Sequence, residues 1–430
     1  MADMADLPSL AAVIGLDWAD RHHDVSLQPA GAAGTAAVER QRLPHTPEAL
    51  AAWLEALRAR FAGAPVGVAI ETSRGPLVHA LLGHPWVIVY PVNPRSLKRF
   101  REAFAPSGAK DDPTDADLLR ELLAVHRARL RPLAPEAPAT RALRQLVEHR
   151  RALVDLRTRL VLQLTATLKG YFPQALDWAG TDLGAPLATD FLAVWPTLAA
   201  VQQAPAATLE RFFRAHHCRR TAVIARRVAA IAAAVPLTTD PAVLEPGARY
   251  AQVLAAQLAA LRPGVAGYDA AIAACFAAHA DAALFRSFPG SGPALAPRLL
   301  AACGTDRGRF ADAAALQQYA GLAPVTVRSG RTRVVHWRWA APAFVRQSFH
   351  EFAGHSIRCS PWARAYYAAQ RARGKDHHAA VRALAFKWAR IVWRCWQART
   401  CYDEARYVHA LRQRGSPHTP RPDATKDAAA

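Results

Sequence analysis

Two acidic side chains end apolar segments that are typical of buried strands. Asp17 follows residues 11–16 and Glu71 follows residues 66–70. Carboxylates at the ends of adjacent strands project from the same sheet edge, and a buried acid is costly unless a cation compensates its charge. Because hard oxygen ligands suit Mg²⁺ or Mn²⁺, the pair indicates a divalent-metal site. The alternative is that Asp17 is an ordinary turn residue at a strand end.

A second acidic pair, Asp112 and Asp115, opens a predicted helix. Residues three apart lie on one helix face, so both carboxylates point the same way. An Asp at the N-cap, Pro113 after it and an acid in the first turn also make a good helix start for structural reasons alone. A strand-end Asp, a strand-end Glu and two Asp opening a helix together favour a two-metal phosphodiester site.

A turn rich in Gly and Pro, residues 287–293, precedes an apolar helix at 295–302. Gly290 and Gly292 allow a tight turn whose backbone N–H groups hold a phosphate at the helix N-terminus. The turn looks like a helix–hairpin–helix element, so both glycines are candidate nucleic-acid-binding residues. A plain turn is an equal alternative.

Ser329 lies among basic residues in the segment 328–333. A Ser-Gly pair between arginines is by default a turn, and serine is a poor nucleophile without a base, a metal or a cationic environment. Arg328, Arg331 and Arg333 supply guanidinium groups that bind nucleic acid and stabilise charge that develops on phosphorus.

The elements that position these residues change in character along the chain. Residues 1–130 alternate strands and helices, the pattern of an α/β sheet covered by helices. Predicted strands cover 11–17, 24–27, 66–71 and 86–90, and predicted helices cover 48–61 and 77–82. From 140 to 168, Leu and Val recur every seven residues, which predicts a long helix with a helical partner, and 253–276 is a plausible return helix. An ordinary bundle and an intermolecular coiled coil are equally compatible with this repeat.

Composition points to a polyanionic partner. The chain of 430 residues carries 54 Lys and Arg against 34 Asp and Glu, a formal charge of +20. Residues 328–421 alone hold 19 basic and 4 acidic residues, together with six of the eleven tryptophans. Such a segment binds phosphates and stacks bases, although Trp388, Trp393 and Trp396 have the spacing of helix core. No segment is apolar enough to span a membrane, and six scattered cysteines fit a reducing cytoplasm.

Four motifs occur in order along the chain: Gly15-Leu16-Asp17; Ile70-Glu71-Thr72-Ser73-Arg74-Gly75; Val92-Asn93-Pro94-Arg95; and Lys110-x-Asp112-x-x-Asp115-Ala116. The ordered set resembles the DEDD-type insertion-sequence transposases, which include the pilin-gene invertase. The resemblance continues through Lys169-Gly170-Tyr171-Phe172-Pro173 and into the C-terminal region. It leaves out residues 174–280 and the tail.

The resemblance implies a domain organisation. Residues 1–135 would form an α/β, RNase H-like (RuvC-like) metal-binding domain. Residues 136–280 would form a helical coiled-coil assembly region, and 281–412 a mainly α-helical C-terminal transposase domain. Residues 413–430 are expected to be a disordered tail.

The resemblance also assigns roles. Asp17, Glu71, Asp112 and Asp115 would be the catalytic tetrad that binds Mg²⁺ or Mn²⁺, with Asp111 as the alternative third ligand because the family usually has a hydroxyl residue there. Ser329, in a segment similar to the family's C-terminal signature, would be the nucleophile that links covalently to DNA. The expected protein is a bacterial-type, cytoplasmic, nucleoid-associated homodimer or homotetramer that moves its own element.

The partners implied are the element ends and target DNA and a structured noncoding guide RNA. Two other functions stay open on the residues alone. One is a hydrolytic RuvC-like structure-specific nuclease, which needs the tetrad and no serine. The other is a noncatalytic nucleic-acid-binding protein.

Overall fold

The computed structural model describes residues 8–32, 37–104 and 112–418, except the side chains of residues 104, 112 and 113. The chain divides into two compact units, Met1–Pro135 and Glu136–Ala430. The expected tail from residue 419 onward, and Asp111, lie outside the described residues.

A mixed five-stranded sheet forms the centre of the first unit. Its strands are β1 (Ala12–Trp18), β2 (His22–Pro29), β3 (Glu39–Pro44), β4 (Val66–Ile70) and β5 (Val87–Pro91). Their order is β3-β2-β1-β4-β5, with β1, β4 and β5 parallel and the β1–β2 and β2–β3 pairs antiparallel. The predicted strand–helix alternation is confirmed, and the mixed sheet is consistent with an RNase H-like domain. The sequence does not predict β3, because four of its six residues are polar or charged and its side chains are mostly exposed.

Four helices cover the two faces of this sheet. They are α1 (Pro47–Arg60), α2 (Pro76–Leu82), α3 (Pro94–Phe104) and α4 (Asp112–His126). Thr46 caps α1 by accepting a hydrogen bond from the Ala49 N–H. Leu54 and Leu77 join the core on the α1–α2 face, whereas Leu119 and Leu123 of α4 join the core on the other face. Alternate strand residues therefore face different helices.

Two long helices dominate the start of the second unit. α5 (Pro138–Tyr171) has 34 residues and α11 (Pro241–Ala277) has 37. The two pack along each other, so the observed partner of the heptad helix lies in the same chain. Leu254 and Leu258 of the predicted return helix are buried, whereas Val253 is exposed.

Shorter helices pack between and after these two. Those that precede α11 are α6 (Ala175–Trp178), α7 (Pro186–Val194), α8 (Leu198–Gln202), α9 (Ala206–Ala215) and α10 (Thr221–Ala233). Those that follow it are α12 (Ala282–Arg286), α13 (Gly292–Cys303), α14 (Ala313–Tyr319), α15 (Ala343–Cys359), α16 (Pro361–Ala372), α17 (His377–Ala398) and α18 (Glu404–Gln413). Trp388 and Trp396 are fully buried and Trp393 is half-buried, as expected for helix core.

A two-stranded antiparallel hairpin interrupts the C-terminal helices. It consists of β6 (Val325–Ser329) and β7 (Thr332–His336). Nearly all of its side chains are exposed. An isolated hairpin of this kind is marginally stable in water, so its exposure favours a role in contacting a partner.

Candidate active site

Asp17 and Glu71 lie at the same edge of the sheet. The parallel register pairs Leu16 with Ile70, which brings the next residues, Asp17 and Glu71, to adjacent strand ends. Both side chains are half-buried. Alternation along β1 puts Asp17 on the face of Gly15, which is the face covered by α4. The arrangement is the one expected from the two apolar segments.

The contact between β1 and α4 is unusually close. A Cβ built on Gly15 would overlap the carbonyl oxygen of Ala116 and lie 2.5 Å from the Arg120 nitrogen. Arg120 reaches back to Gln28, while Asp117 accepts a hydrogen bond from Ser26 at 2.6 Å. Because Ser26 lies nearer than Gln28 to the Asp17 end of the sheet, α4 begins at that end.

Asp112 and Asp115 therefore belong to the turn of α4 that starts beside the carboxylate edge. Asp115 is 3% exposed and forms an ion pair with Arg101 of α3. A buried carboxylate requires a positive partner, and Arg101 supplies it. The Nε atom of Arg101 is also buried, without a hydrogen-bond partner among the described atoms. The sequence did not indicate Arg101, because it lies 14 residues from Asp115, outside the three- or four-residue spacing that places side chains on one helix face.

A further carboxylate, not expected from the sequence, lies beside Asp17. Asp24 is directly opposite Asp17 in the antiparallel register and is 9% exposed. Arg42 lies 3.6 Å from it on β3. Asp117, by contrast, is bound by Arg40 at 2.8 Å and by Ser26, so its role is to hold α4 on the sheet.

Hard oxygen donors at one edge fit a divalent cation of the Mg²⁺ type. Within the described part of the chain, however, no three His, Cys, Asp or Glu side chains already form a metal-binding group. The Asp112 side chain and the whole of Asp111 are not described. The four-carboxylate site therefore stays a prediction.

In the second unit, Ser329 lies at the tip of the β6–β7 hairpin. It pairs with Thr332 across the two-residue turn Gly330-Arg331. Gly330 has φ +56°, which glycine adopts readily and which suits the first position of a tight hairpin turn. The hydroxyl groups of Ser329 and Thr332 consequently emerge on the same face of an exposed turn. The prediction of a turn at the Ser-Gly pair is confirmed, and the turn exposes Ser329 to solvent.

Two of the three arginines near Ser329 lie on the opposite face of the hairpin. Arg328 and Arg333 are directly opposite each other, one position from the Ser329–Thr332 pair. Because side chains alternate across a strand, both guanidinium groups lie on the face opposite the Ser329 hydroxyl. Two like charges side by side repel, so this face favours an anion between them. Arg331 lies in the turn itself, and the expected role of the three arginines in binding nucleic acid and stabilising charge on phosphorus stays a prediction.

Four other serines of the C-terminal region, which are competing candidates for the nucleophile, are all buried. Ser348, Ser356 and Ser360 are 0% exposed and Ser291 is 2% exposed. Ser348 and Ser356 donate to backbone carbonyls, and Ser360 donates to Glu404. Burial leaves these four hydroxyls without access to a DNA strand, whereas Ser329 is exposed.

The Gly-rich turn joins α12 to α13. Gly290 has φ +79°, and a Cβ there would come within 3.0 Å of the His355 and Ser356 backbone. Gly290 is therefore required for packing against α15. Gly292 also has a positive φ, but its Cβ position is open, and Ser291 between them has a buried hydroxyl with no partner among the described atoms. Of the two glycines, Gly292 is the one with free space for a ligand.

Comparison with known proteins decides the family. Residues 14–173 match a DEDD family of the IS110 type described as "Transposase", and residues 282–368 match the "Transposase IS116/IS110/IS902 family". The first match includes Asp17, Glu71, Asp112 and Asp115, and the second includes Ser329. The chain belongs to the IS110 family of insertion-sequence transposases.

Individual relatives agree with this assignment. The "Mini-circle putative transposase for IS117" of Streptomyces coelicolor is 32% identical over 94% of this chain and 98% of its own length. The "Insertion element IS110 uncharacterized 43.6 kDa protein" of the same species is 28% identical over 89% of this chain and 93% of its own length. A "Putative transposase y4uE" of Sinorhizobium fredii is 33% identical over 48% of this chain and 57% of its own length.

Membership of the IS110 family gives the broad activity. The chain is a transposase that acts on DNA, and DEDD transposases generally use a divalent metal. Among the described residues, none of the helices has the length and apolar character needed to cross a bilayer.

Proposed function

We propose that this IS110-family transposase cuts and rejoins DNA through a covalent link to Ser329, assisted by divalent cations held by four carboxylates. The observation that carries the proposal is the contrast among the serines. Ser329 is exposed at a hairpin tip flanked by arginines, whereas the four competing serines are buried.

Asp17, Glu71, Asp112 and Asp115 would hold the cations, with Mg²⁺ as the expected ion. The support is the adjacent strand ends of Asp17 and Glu71 and the start of α4 at the same edge. Bound cations would polarise the scissile phosphate and neutralise developing charge. A cation held there would share with Arg101 the charge compensation of Asp115.

The chemistry at Ser329 conserves the number of phosphate bonds. The Ser329 Oγ forms a bond to phosphorus as the bond to a DNA oxygen breaks, and the serine proton ends on the departing DNA hydroxyl. Attack by a different DNA hydroxyl reverses the step and releases the serine. Because the phosphoserine link preserves the energy of the broken bond, rejoining needs no external energy source.

Arg328 and Arg333 would hold DNA phosphates on the hairpin face opposite Ser329, and Arg331 at the turn is the arginine next to the reacting hydroxyl. Gly292, at the N-terminus of α13, would contact the DNA backbone without reading sequence, while Gly290 shapes the turn. These contacts position the strand, and they carry no base specificity.

A guide RNA and a homodimer or homotetramer complete the proposal. The charge of +20 and its concentration in residues 328–421 are compatible with RNA as well as DNA. Residues 136–280 would be the assembly region: Leu162 and Val253 are more than half exposed there, which favours burial against a second copy. Residues 281–412 would be the transposase domain.

The test is the formation of a covalent protein–DNA adduct. Wild-type protein is incubated with element-end DNA, Mg²⁺ and RNA transcribed from the element, and is resolved on a denaturing gel. We expect an adduct that is lost in Ser329→Ala and kept in Thr326→Ala, which removes a hydroxyl from the opposite face of the same hairpin. Strand cleavage that survives in Ser329→Ala without any adduct would instead identify a hydrolytic nuclease.

A further inference from the structure

A cavity of about 360 Å³ lies in the first unit, on the sheet face that α1 and α2 cover. This volume is within the usual range of ligand pockets, about 300–1,000 Å³. Its walls are mostly apolar and include Pro44, Leu50, Leu77 and Ala80. Neither the carboxylates nor Ser329 line it.

Several ring side chains line the cavity or lie next to it. His23, His45 and His84 all line it. Trp18 is 42% exposed, and its ring lies 6.5 Å from that of His45. A space bounded by rings, prolines and aliphatic side chains suits a flat ring that packs on both faces.

Hydrogen bonds that link Ala19, His23 and His45 determine which nitrogen of His45 faces outward as a donor. The Ala19 N–H donates to Nδ1 of His23 at 3.3 Å, so the proton of His23 is on Nε2. That Nε2 is 2.9 Å from Nδ1 of His45 and donates to it. This hydrogen bond leaves Nε2 of His45 as the nitrogen that can donate an N–H outward. Burial, and then the neighbouring His45, lower the pKa of His23, which favours the neutral form of the His23 ring.

The cavity lies at the end of the sheet that carries the carboxylates, on the face opposite Asp17. His23 pairs with Trp18 in the register, and the next pair is Asp17 with Asp24. Leu77 follows Glu71 by one short loop at the start of α2. Arg21 is exposed, and its carbonyl accepts a hydrogen bond from the His45 backbone N–H, so its backbone lies beside His45. An exposed guanidinium at this position can compensate a phosphate.

From this geometry we infer that the cavity captures one unstacked base of the DNA strand that passes the carboxylate edge. The base stacks among the ring side chains, the His45 N–H donates to an acceptor on its edge, and Arg21 holds the adjoining phosphate. The inference rests on the proposed function in one respect, that DNA runs past Asp17 and Glu71. Base capture would fix the strand's register at the site.

Photocrosslinking tests the inference. Element-end DNA carrying 5-iodo-2′-deoxyuridine at one position at a time is bound to the full chain, irradiated and mapped by peptide mass spectrometry. We expect one or two neighbouring positions to crosslink to the peptide that contains Trp18 or His45. Because base–aromatic stacking strengthens binding by about fivefold or more per base, Ala80→Phe, which fills the cavity, lowers that crosslink by about fivefold or more. His79→Phe is the matched control, since His79 is exposed on the same helix outside the cavity.

A second variant covers the case in which Ala80→Phe does not fold. His45→Phe keeps a ring and removes the N–H, so it retains part of the crosslink and loses the preference for bases with an acceptor at that edge. Undiminished crosslinking in a folded Ala80→Phe protein, crosslinks that map only to other peptides, or crosslinks formed by iodouridine-labelled RNA and not by DNA would each overturn the inference. Ser329→Ala separates the two proposals, because it abolishes the adduct and keeps the crosslink.

Discussion

Gly15 of β1 and Ala116 of α4 approach so closely that no side chain fits between them. The contact sets the distance between the strand that carries Asp17 and the helix that carries Asp112 and Asp115. Close backbone approach of this kind requires glycine.

Gly15→Ala is therefore expected to push α4 away from the sheet. The added methyl meets backbone atoms that cannot rotate away, so we expect a loss of about 1–3 kcal/mol in the free energy of unfolding and a larger loss of adduct formation. Gly170→Ala in α5 is the control, because its Cβ position is open and alanine there stabilises a helix by about 0.5–1 kcal/mol. Urea denaturation measures the free energy of unfolding of both variants. Equal stabilities for Gly15→Ala and wild type would show that the contact is not needed.

Arg101→Gln tests the ion pair with Asp115. Removal of the guanidinium leaves a buried carboxylate without a cation, which costs about 3–5 kcal/mol. The Tm of Arg101→Gln should recover when Asp115→Asn is added to it. Mg²⁺ should raise the Tm of Arg101→Gln more than that of wild type. Lys98→Gln on the same helix removes an exposed charge and should change little. A Tm for Arg101→Gln equal to that of Lys98→Gln would contradict the assignment.

The double variant Arg328→Gln, Arg333→Gln tests whether these two arginines bind DNA phosphates without taking part in the reaction at Ser329. Each phosphate contact contributes about 0.9 to the slope of log K against log salt concentration, so the slope should fall by about 1.8. Fluorescence anisotropy over a KCl series measures it, with Ser329→Ala as the control that keeps the slope. Adduct yield at saturating DNA should be nearly unchanged, since both arginines face away from the hydroxyl. A large loss of adduct with an unchanged slope would mean that they act on the reacting phosphorus.

The stability of the second unit should fall in mild acid, partly because of His279. Its Nδ1 accepts from the Asp281 N–H at 3.1 Å and its Nε2 lies 3.0 Å from the Thr140 hydroxyl, so the neutral ring is bound on both sides. Burial is the main cause that lowers the pKa of His279. The unfolded chain takes up a proton near pH 6.5 that the folded chain refuses, so this stability is present above pH 6.5 and is lost as the pH falls.

His279→Gln should reduce that pH dependence by up to about 1.4 kcal/mol per pH unit below pH 6.5. Urea denaturation of both proteins between pH 7.5 and pH 5.5 (about two units, the range in which histidine titrates) gives the slopes. Parallel curves for the variant and the wild type would show that His279 titrates normally in the folded state.

The parts of the site that lie on apolar strands could be predicted from the sequence. Asp17 and Glu71 follow buried segments, and parallel pairing then brings them to one edge. The polar strand β3 has no alternation of apolar and polar residues, so the sequence does not predict it. The sequence around Ser329 predicts a turn but not the exposed hairpin that contains it.

Contacts between distant residues could not be predicted in this way. The Arg101–Asp115 ion pair and the His23–His45 hydrogen bond depend on how loops bring elements together. Local periodicity carries no information about such pairs, because the residues involved have no fixed spacing. The opposite orientation of Ser329 and Arg328 follows from strand alternation, but only once the hairpin itself is known.

If Ser329 carries the DNA during strand exchange, the residue that becomes joined to DNA can be identified by mass spectrometry. Wild-type protein trapped with element-end DNA, Mg²⁺ and the element's RNA is digested with nuclease and protease, and the nucleotide-bearing peptide is sequenced by mass spectrometry. We expect a nucleotide joined through phosphate to Ser329, absent from the Asp17→Asn protein. A nucleotide on any other residue, or cleaved DNA without a modified peptide, would contradict it.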